Sequence, residues 1–149
     1  MSLCPKIDTA NNGYLKTDRL KFYCADVTTF PLDRYDTIVV SDVLHYLKET
    51  DQDALLKRCF DALNEGGRLI VREGNADLAK RHKGTVLTEF FSVKLLGFNK
   101  SVNSLNFVSG ERIKNLAASR GMTVNEIDDA KFTSNVIFVI QKSIVITSA

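Results

Sequence analysis

Ser41, Asp42 and His45 stand at the end of an apolar run, in the stretch YDTIVVSDVLHYL. A hydroxyl, a carboxyl and an imidazole this close together can bind a ligand, cap a helix or move a proton. Histidine takes up and returns a proton near neutral pH, so His45 is a candidate general base. It is also a residue type that packs and hydrogen-bonds inside cores. Ser41 and Asp42 have a plainer alternative, capping a helix that starts near Val43. A further carboxyl, Asp26, ends the segment LKFYCADV. It either meets a ligand or closes a turn after a strand.

The segments around these residues read as alternating strands and helices. LKFYCADV (20–27) has a strand's aromatic and small apolar content, and YDTIVVS (35–41) is a stronger strand. Pro31 fixes the loop between them. In ETDQDALLKRCFDALNEGG (49–67), Leu55, Leu56, Cys59, Phe60 and Leu63 repeat at helical spacing. Acids crowd the start of that helix, as its dipole favours, and Gly66 and Gly67 stop it. GRLIVREG (67–74) reads as a strand and SGERIKNLAASRG (109–121) as a helix. MTVNEIDD and NVIFVIQKS read as a closing antiparallel pair. An early helix over CPKIDTANNGYLKTD precedes them all. Strands alternating with helices predict an α/β sheet, mostly parallel. TIVV and LIV are apolar without alternation, which predicts strands covered on both faces.

Residues 75–108 form an insertion. Within it Leu87, Phe90, Phe91, Leu95 and Phe98 fall on one helical face. They serve either an apolar acceptor or a plain amphipathic core helix. The basic stretch KRHK, with His82, is a solvated face or a contact for anionic lipid headgroups.

Composition narrows the classes. The chain has 149 residues, is 44% hydrophobic and 26% charged, and carries a net charge of +2. One globular domain over 1–149 is expected, with no case for nucleic acid. No apolar run reaches the ~20 residues of a membrane helix, and no secretory h-region is visible. Cys4, Cys24 and Cys59 show no C-x-x-C pair, so no metal site is expected and the thiols are read as reduced and buried. That agrees with a cytoplasmic location.

The span from about residue 15 to 74, with 109–142, resembles the second half of a class I S-adenosylmethionine-dependent methyltransferase. Such enzymes carry an acidic pair like Ala25-Asp26 after their third strand. A fourth strand of the form YDTIVVSDVLHYL follows, then a helix ending like ALNEGGRLIV. Glu65 stands where the family more often has proline. The resemblance implies a Rossmann-like fold with strand order 3-2-1-4-5-7-6 and S-adenosylmethionine as cofactor. It implies that Asp26 accepts from the adenine amino group while the Val27 N–H meets a ring nitrogen. Ser41 and Asp42 would lie beneath the methionine part. Leu44, His45 and Tyr46 would line the cofactor or substrate side, with Phe90 and Phe91 on the acceptor under a lid formed by 75–108.

No G-x-G occurs in the chain, and the family's ribose-gripping acid is absent. The chain therefore reads as a class I domain lacking its first two strands and its glycine-rich turn, either truncated or a relic. Such a piece is expected to be inactive alone. Methyl transfer needs in-line positioning more than a catalytic dyad, so the missing cradle matters most. RHKGTVLTEFFSVKLLGFNK also resembles methyltransferase segments of bacterial fusions that join an MMPL-type exporter and an acyltransferase. That likeness implies a membrane-bound parent with this piece on its cytoplasmic side. The acceptor expected is a small or lipid-like molecule.

Without strands 1 and 2, DTIVVS becomes an apolar edge. Either strand 3 closes against strand 4, or two copies join as a homodimer. The competing reading is accordingly a non-catalytic interaction or dimerisation module. A different nucleotide-binding α/β domain is disfavoured by the lack of a Walker A or dinucleotide glycine pattern.

Overall fold

The computed structural model describes residues 21, 23–77, 106–128 and 135–144. The expected helix near the N-terminus, most of the insertion with Phe90, Phe91 and Phe98, and His82 lie outside the described residues. The chain divides into two compact units, Met1–Pro31 and Leu32–Ala149.

The second unit carries a four-stranded sheet. Strand β1 (Tyr35–Ser41) leads through a 3-10 turn (Leu44–Tyr46) into helix α1 (Glu49–Ala62), which feeds strand β2 (Leu63–Gly74). Helix α2 (Gly110–Ala118) then precedes strands β3 (Thr123–Ile127) and β4 (Asn135–Gln141). The spatial order is β1-β2-β4-β3. β1 runs parallel to β2, with Ile38 opposite Leu69 and Val40 opposite Val71. β4 is antiparallel to both β2 and β3. The closing antiparallel pair expected from the sequence is therefore present.

One face of this sheet holds the core. Val40, Leu69, Val71, Val136, Phe138 and Ile140 alternate inward along their strands and meet Leu55, Leu56, Cys59 and Phe60 of α1 and Ile113 and Ala117 of α2. The opposite face is less covered among the described residues: Val39 is 63% exposed, and Ile70, Ile137 and Val139 are half-buried. For β1 the expectation of a strand covered on both faces is corrected here by the exposed Val39. Both described helices pack on the same side, so the outward residues of TIVV and LIV have no described layer over them.

Three local expectations also change. Residues 23–27 form no strand. The Asp26 carboxyl accepts from the Thr28 N–H at 2.8 Å and its hydroxyl at 2.7 Å, while the Asp26 carbonyl accepts from Phe30 at 2.8 Å. Short polar side chains that bond nearby backbone offer the chain a turn instead of a ladder. Helix α1 ends at Ala62, before the glycine pair. Gly66 adopts a left-handed φ of 72° inside β2, at the irregularity where the β1 register shifts between Tyr35 and Thr37. Cys24 is disulfide-bonded, against the expectation of reduced thiols, whereas Cys59 is free and buried. Spacing along the chain does not report which thiols meet in space.

Candidate functional site

The carboxyl ends of parallel β1 and β2 lie side by side, where open α/β sheets bind their ligands. At the end of β1, Asp42 adopts a left-handed φ of 55°. Outside glycine that conformation is uncommon, though Asp tolerates it better than most. It turns the chain out of the sheet. The turn is held by the Asp42 N–H donating to the Arg72 carbonyl at 3.0 Å. Arg72 also pairs with the Asp42 carboxyl, and the Ser41 hydroxyl donates to that carboxyl at 3.0 Å. Neither Ser41 nor Asp42 caps a helix: the N-cap positions of the 3-10 turn and α1 are Val43 and Lys48, and neither makes a side-chain cap. The capping alternative is thereby removed.

His45 is buried at 3% exposure, and its Nδ1 lies 2.5 Å from Oε1 of Glu73, itself 1% exposed. Oε2 of Glu73 accepts from the Leu44 N–H at 2.8 Å, and Oε1 also accepts from the Gly74 N–H at 3.3 Å. With backbone donors on both oxygens, the carboxyl acts as acceptor, and the imidazole proton is assigned to Nδ1. Two rings neighbour the imidazole, Tyr46 at 4.1 Å and Phe107 at 6.0 Å between centroids. Tyr46 is 58% exposed.

Four further expected site residues are Leu44, Ala25, Asp26 and Val27. Leu44 is fully buried in the core, and only its N–H serves the Glu73 pair. Asp26, with Ala25 and Val27, belongs to the first unit and is exposed. The Thr28 hydroxyl, then its N–H, hold the Asp26 carboxyl below the usual carboxylate range. An exposed, ionised, oriented carboxyl suits an amino-group donor such as adenine's. The left-handed turn at Asp42 likewise suits a backbone contact with a ligand.

Glu73, Gln52 and Phe107 were missed by sequence reasoning. A signal existed for Glu73: it continues the inward alternation Leu69, Val71, Glu73, so a carboxyl was due on the core face. Among the described residues no cluster could hold a metal ion, and no helix is long and apolar enough to cross a membrane.

This sheet order and polarity, parallel then antiparallel, with the polar turn beyond β1, is the carboxyl-terminal half of a class I methyltransferase fold. The family profile described as a methyltransferase domain matches residues 4–127, and the chain belongs to that family. The chain is 35% identical over 65 residues to the tetracenomycin polyketide synthesis 8-O-methyl transferase TcmO of Streptomyces glaucescens, covering 44% of this chain and 19% of that one. It is 27% identical over 62 residues to the carboxy-S-adenosyl-L-methionine synthase of Shewanella oneidensis, covering 42% and 26%. The chain thus spans about a fifth to a quarter of these relatives' lengths. Human N-acetylserotonin methyltransferase, solved with S-adenosylmethionine, superposes with a TM-score of 0.63 at 20% identity, over 90% of this chain and 37% of that one. An O-methyltransferase family protein from Burkholderia thailandensis gives 0.59 at 18%, over 80% and 34%.

Proposed function

We propose that this chain is the acceptor-side half of an S-adenosylmethionine-dependent methyltransferase that methylates a hydroxyl oxygen, with His45 as general base. The observation that carries the reading is the buried His45–Glu73 pair at 2.5 Å. Glu73 holds the proton on Nδ1, which leaves the Nε2 lone pair as the basic position. A hydroxyl that gave its proton to Nε2 would become a stronger nucleophile. S-adenosylmethionine, when bound, supplies the methyl on an already activated sulfonium. The Ser41–Asp42 turn would hold its methionine part. The similarity to an O-methyltransferase supports an oxygen acceptor, of small or lipid-like character.

No glycine-rich turn lies within these residues, so the chain alone is expected to bind cofactor poorly and not to turn over. The test pairs two measurements. S-adenosylhomocysteine is titrated calorimetrically into the chain and into its Asp26→Ala variant. Methyl transfer to a panel of phenols and hydroxy-lipids is measured with the same residues joined to strands that supply the glycine-rich turn. His45→Ala should lower kcat there by about 10²–10⁴-fold, the usual worth of a general base. An unchanged kcat would remove His45 from the chemistry.

A second reading, association of two copies as a non-catalytic module, is favoured by β1. Val39 and Tyr35 are exposed there, and among the described residues β1 pairs only with β2. Sedimentation of the chain reads this directly: a monomer at high concentration would dismiss it.

A further inference from the structure

The turn that carries His45 is gripped from two sides, and only one of them is Glu73. On the other side lies Gln52, on the inward face of α1 and fully buried. Its Nε2 donates to the carbonyls of Leu44 at 3.0 Å, Leu47 at 3.2 Å and Asn106 at 2.7 Å. Asn106 returns the tie: its N–H donates to the His45 carbonyl at 3.1 Å and its Nδ2 to the Leu47 carbonyl at 3.3 Å. One side chain therefore joins the residue before His45 to the residue before Phe107, whose ring stacks on the imidazole.

The amide cannot be reversed. Arg112 Nη1 donates to Gln52 Oε1 at 3.3 Å, and Arg112 is itself anchored on Asp53 at 2.9 Å. A guanidinium only donates and backbone carbonyls only accept, so oxygen must face Arg112 and nitrogen the turn. An apolar residue of equal volume would fill the same space but withdraw the shared amide donor from all three carbonyls, leaving Leu44's to the Leu47 N–H and Leu47's to Asn106 Nδ2. Those carbonyls belong to the two segments that fix the imidazole.

We propose that Gln52 is a positioning residue for His45. It sets the backbone frame that brings Nδ1 onto Glu73, and Arg112 sets Gln52. The catalytic consequence rests on the reading of His45 as a base, but the positional claim does not.

The test is imidazole NMR on the full chain with labelled histidine. The chain has two histidines, and His82→Gln assigns the His45 signals. The wild type should show a protected Nδ1 proton shifted downfield by its short bond to Glu73. Gln52→Met keeps the volume and removes the ties, and Gln52→Glu sets carboxyl oxygens against the three carbonyls. In both variants that proton should exchange faster by about tenfold or more, the worth of one net hydrogen bond, while unfolding stays cooperative. If Gln52→Met folds cooperatively and leaves the His45 signal and its protection unchanged, the proposal is overturned. Should that variant not fold, Arg112→Lys reads the same coupling. It keeps the charge beside Asp53 but lacks the fork that reaches Gln52, and an unchanged signal there also overturns the proposal. The two readings fail separately. His45→Ala without effect on kcat removes the base and leaves the NMR result standing, whereas an unmoved resonance removes the positioning role alone.

Discussion

Replacing Glu73 by glutamine exchanges one carboxyl oxygen for an amino group at nearly constant volume. The Leu44 N–H cannot change its role, so the new amide oxygen must face it. The amino group is left facing His45 Nδ1 and the Gly74 N–H. The imidazole can accept that donor only by moving its own proton to Nε2, which takes away the basic position. Gly74 keeps no acceptor on this side chain. A charge-assisted bond at 2.5 Å becomes a neutral one, and a 3.3 Å contact is lost. The expected loss of stability is about 1.5–3 kcal/mol. With a urea slope of about 1–3 kcal/mol per molar, the midpoint should fall by roughly 1 M. Urea unfolding followed by circular dichroism reads the stability, and long-range ¹H–¹⁵N correlations read the tautomer. Glu73→Leu, which abandons both the Leu44 N–H and the imidazole, should cost at least about 1 kcal/mol more than glutamine. A glutamine variant as stable as wild type, with the His45 proton still on Nδ1, would mean that Glu73 does not fix the imidazole.

Burial pushes the Cys59 thiol up to about 11 from its ordinary 9.0, with Arg58 opposing weakly. The unfolded chain then loses this proton first and binds fewer protons than the folded one. Stability from this source is intact below pH 9.0 and falls as pH rises towards about 11. The loss totals about 2–3 kcal/mol at most. Subtracting the pH profile of Cys59→Ala from that of wild type isolates it, and parallel profiles would contradict it. At Gly110, the first residue of α2, a Cβ would come within 2.7 Å of Asn75 Nδ2 and 2.9 Å of Phe138 Cζ. Gly110→Ala should therefore cost about 1–3 kcal/mol through overpacking, seen as a lowered unfolding midpoint. Gly121→Ala meets nothing within 4 Å but must hold a φ of 67°. Its cost should be about 1 kcal/mol, from backbone strain alone.

The elements that could be read from sequence are those whose causes are local. The period of Leu55, Leu56, Cys59 and Phe60 places α1. The Ser-Gly-Glu start places α2, where the Ser109 hydroxyl accepts from the Arg112 N–H at 3.4 Å. The apolar runs place β1, β2 and β4, and the residues at the end of β1 point to the site. Each of these signals is completed within one or two turns of chain. The failures arise where a local bond competes with a ladder, as Thr28 does at Asp26, or where a distant layer decides burial, as on the outward face of β1.

The order of residues by itself determined the family, the alternation of strands and helices, and His45 as a residue worth watching. It could not determine what His45 does, because its partners Glu73, Asn106 and Phe107 lie 28 residues or more along the chain. Only the parallel pairing of β1 with β2 brings Glu73 beneath the turn, and only the packing of α1 beside Asn106 aims Gln52 at its carbonyls. A buried carboxyl and a buried amide are costly unless paired, so the tertiary structure that excludes water around them also decides which groups they must hold.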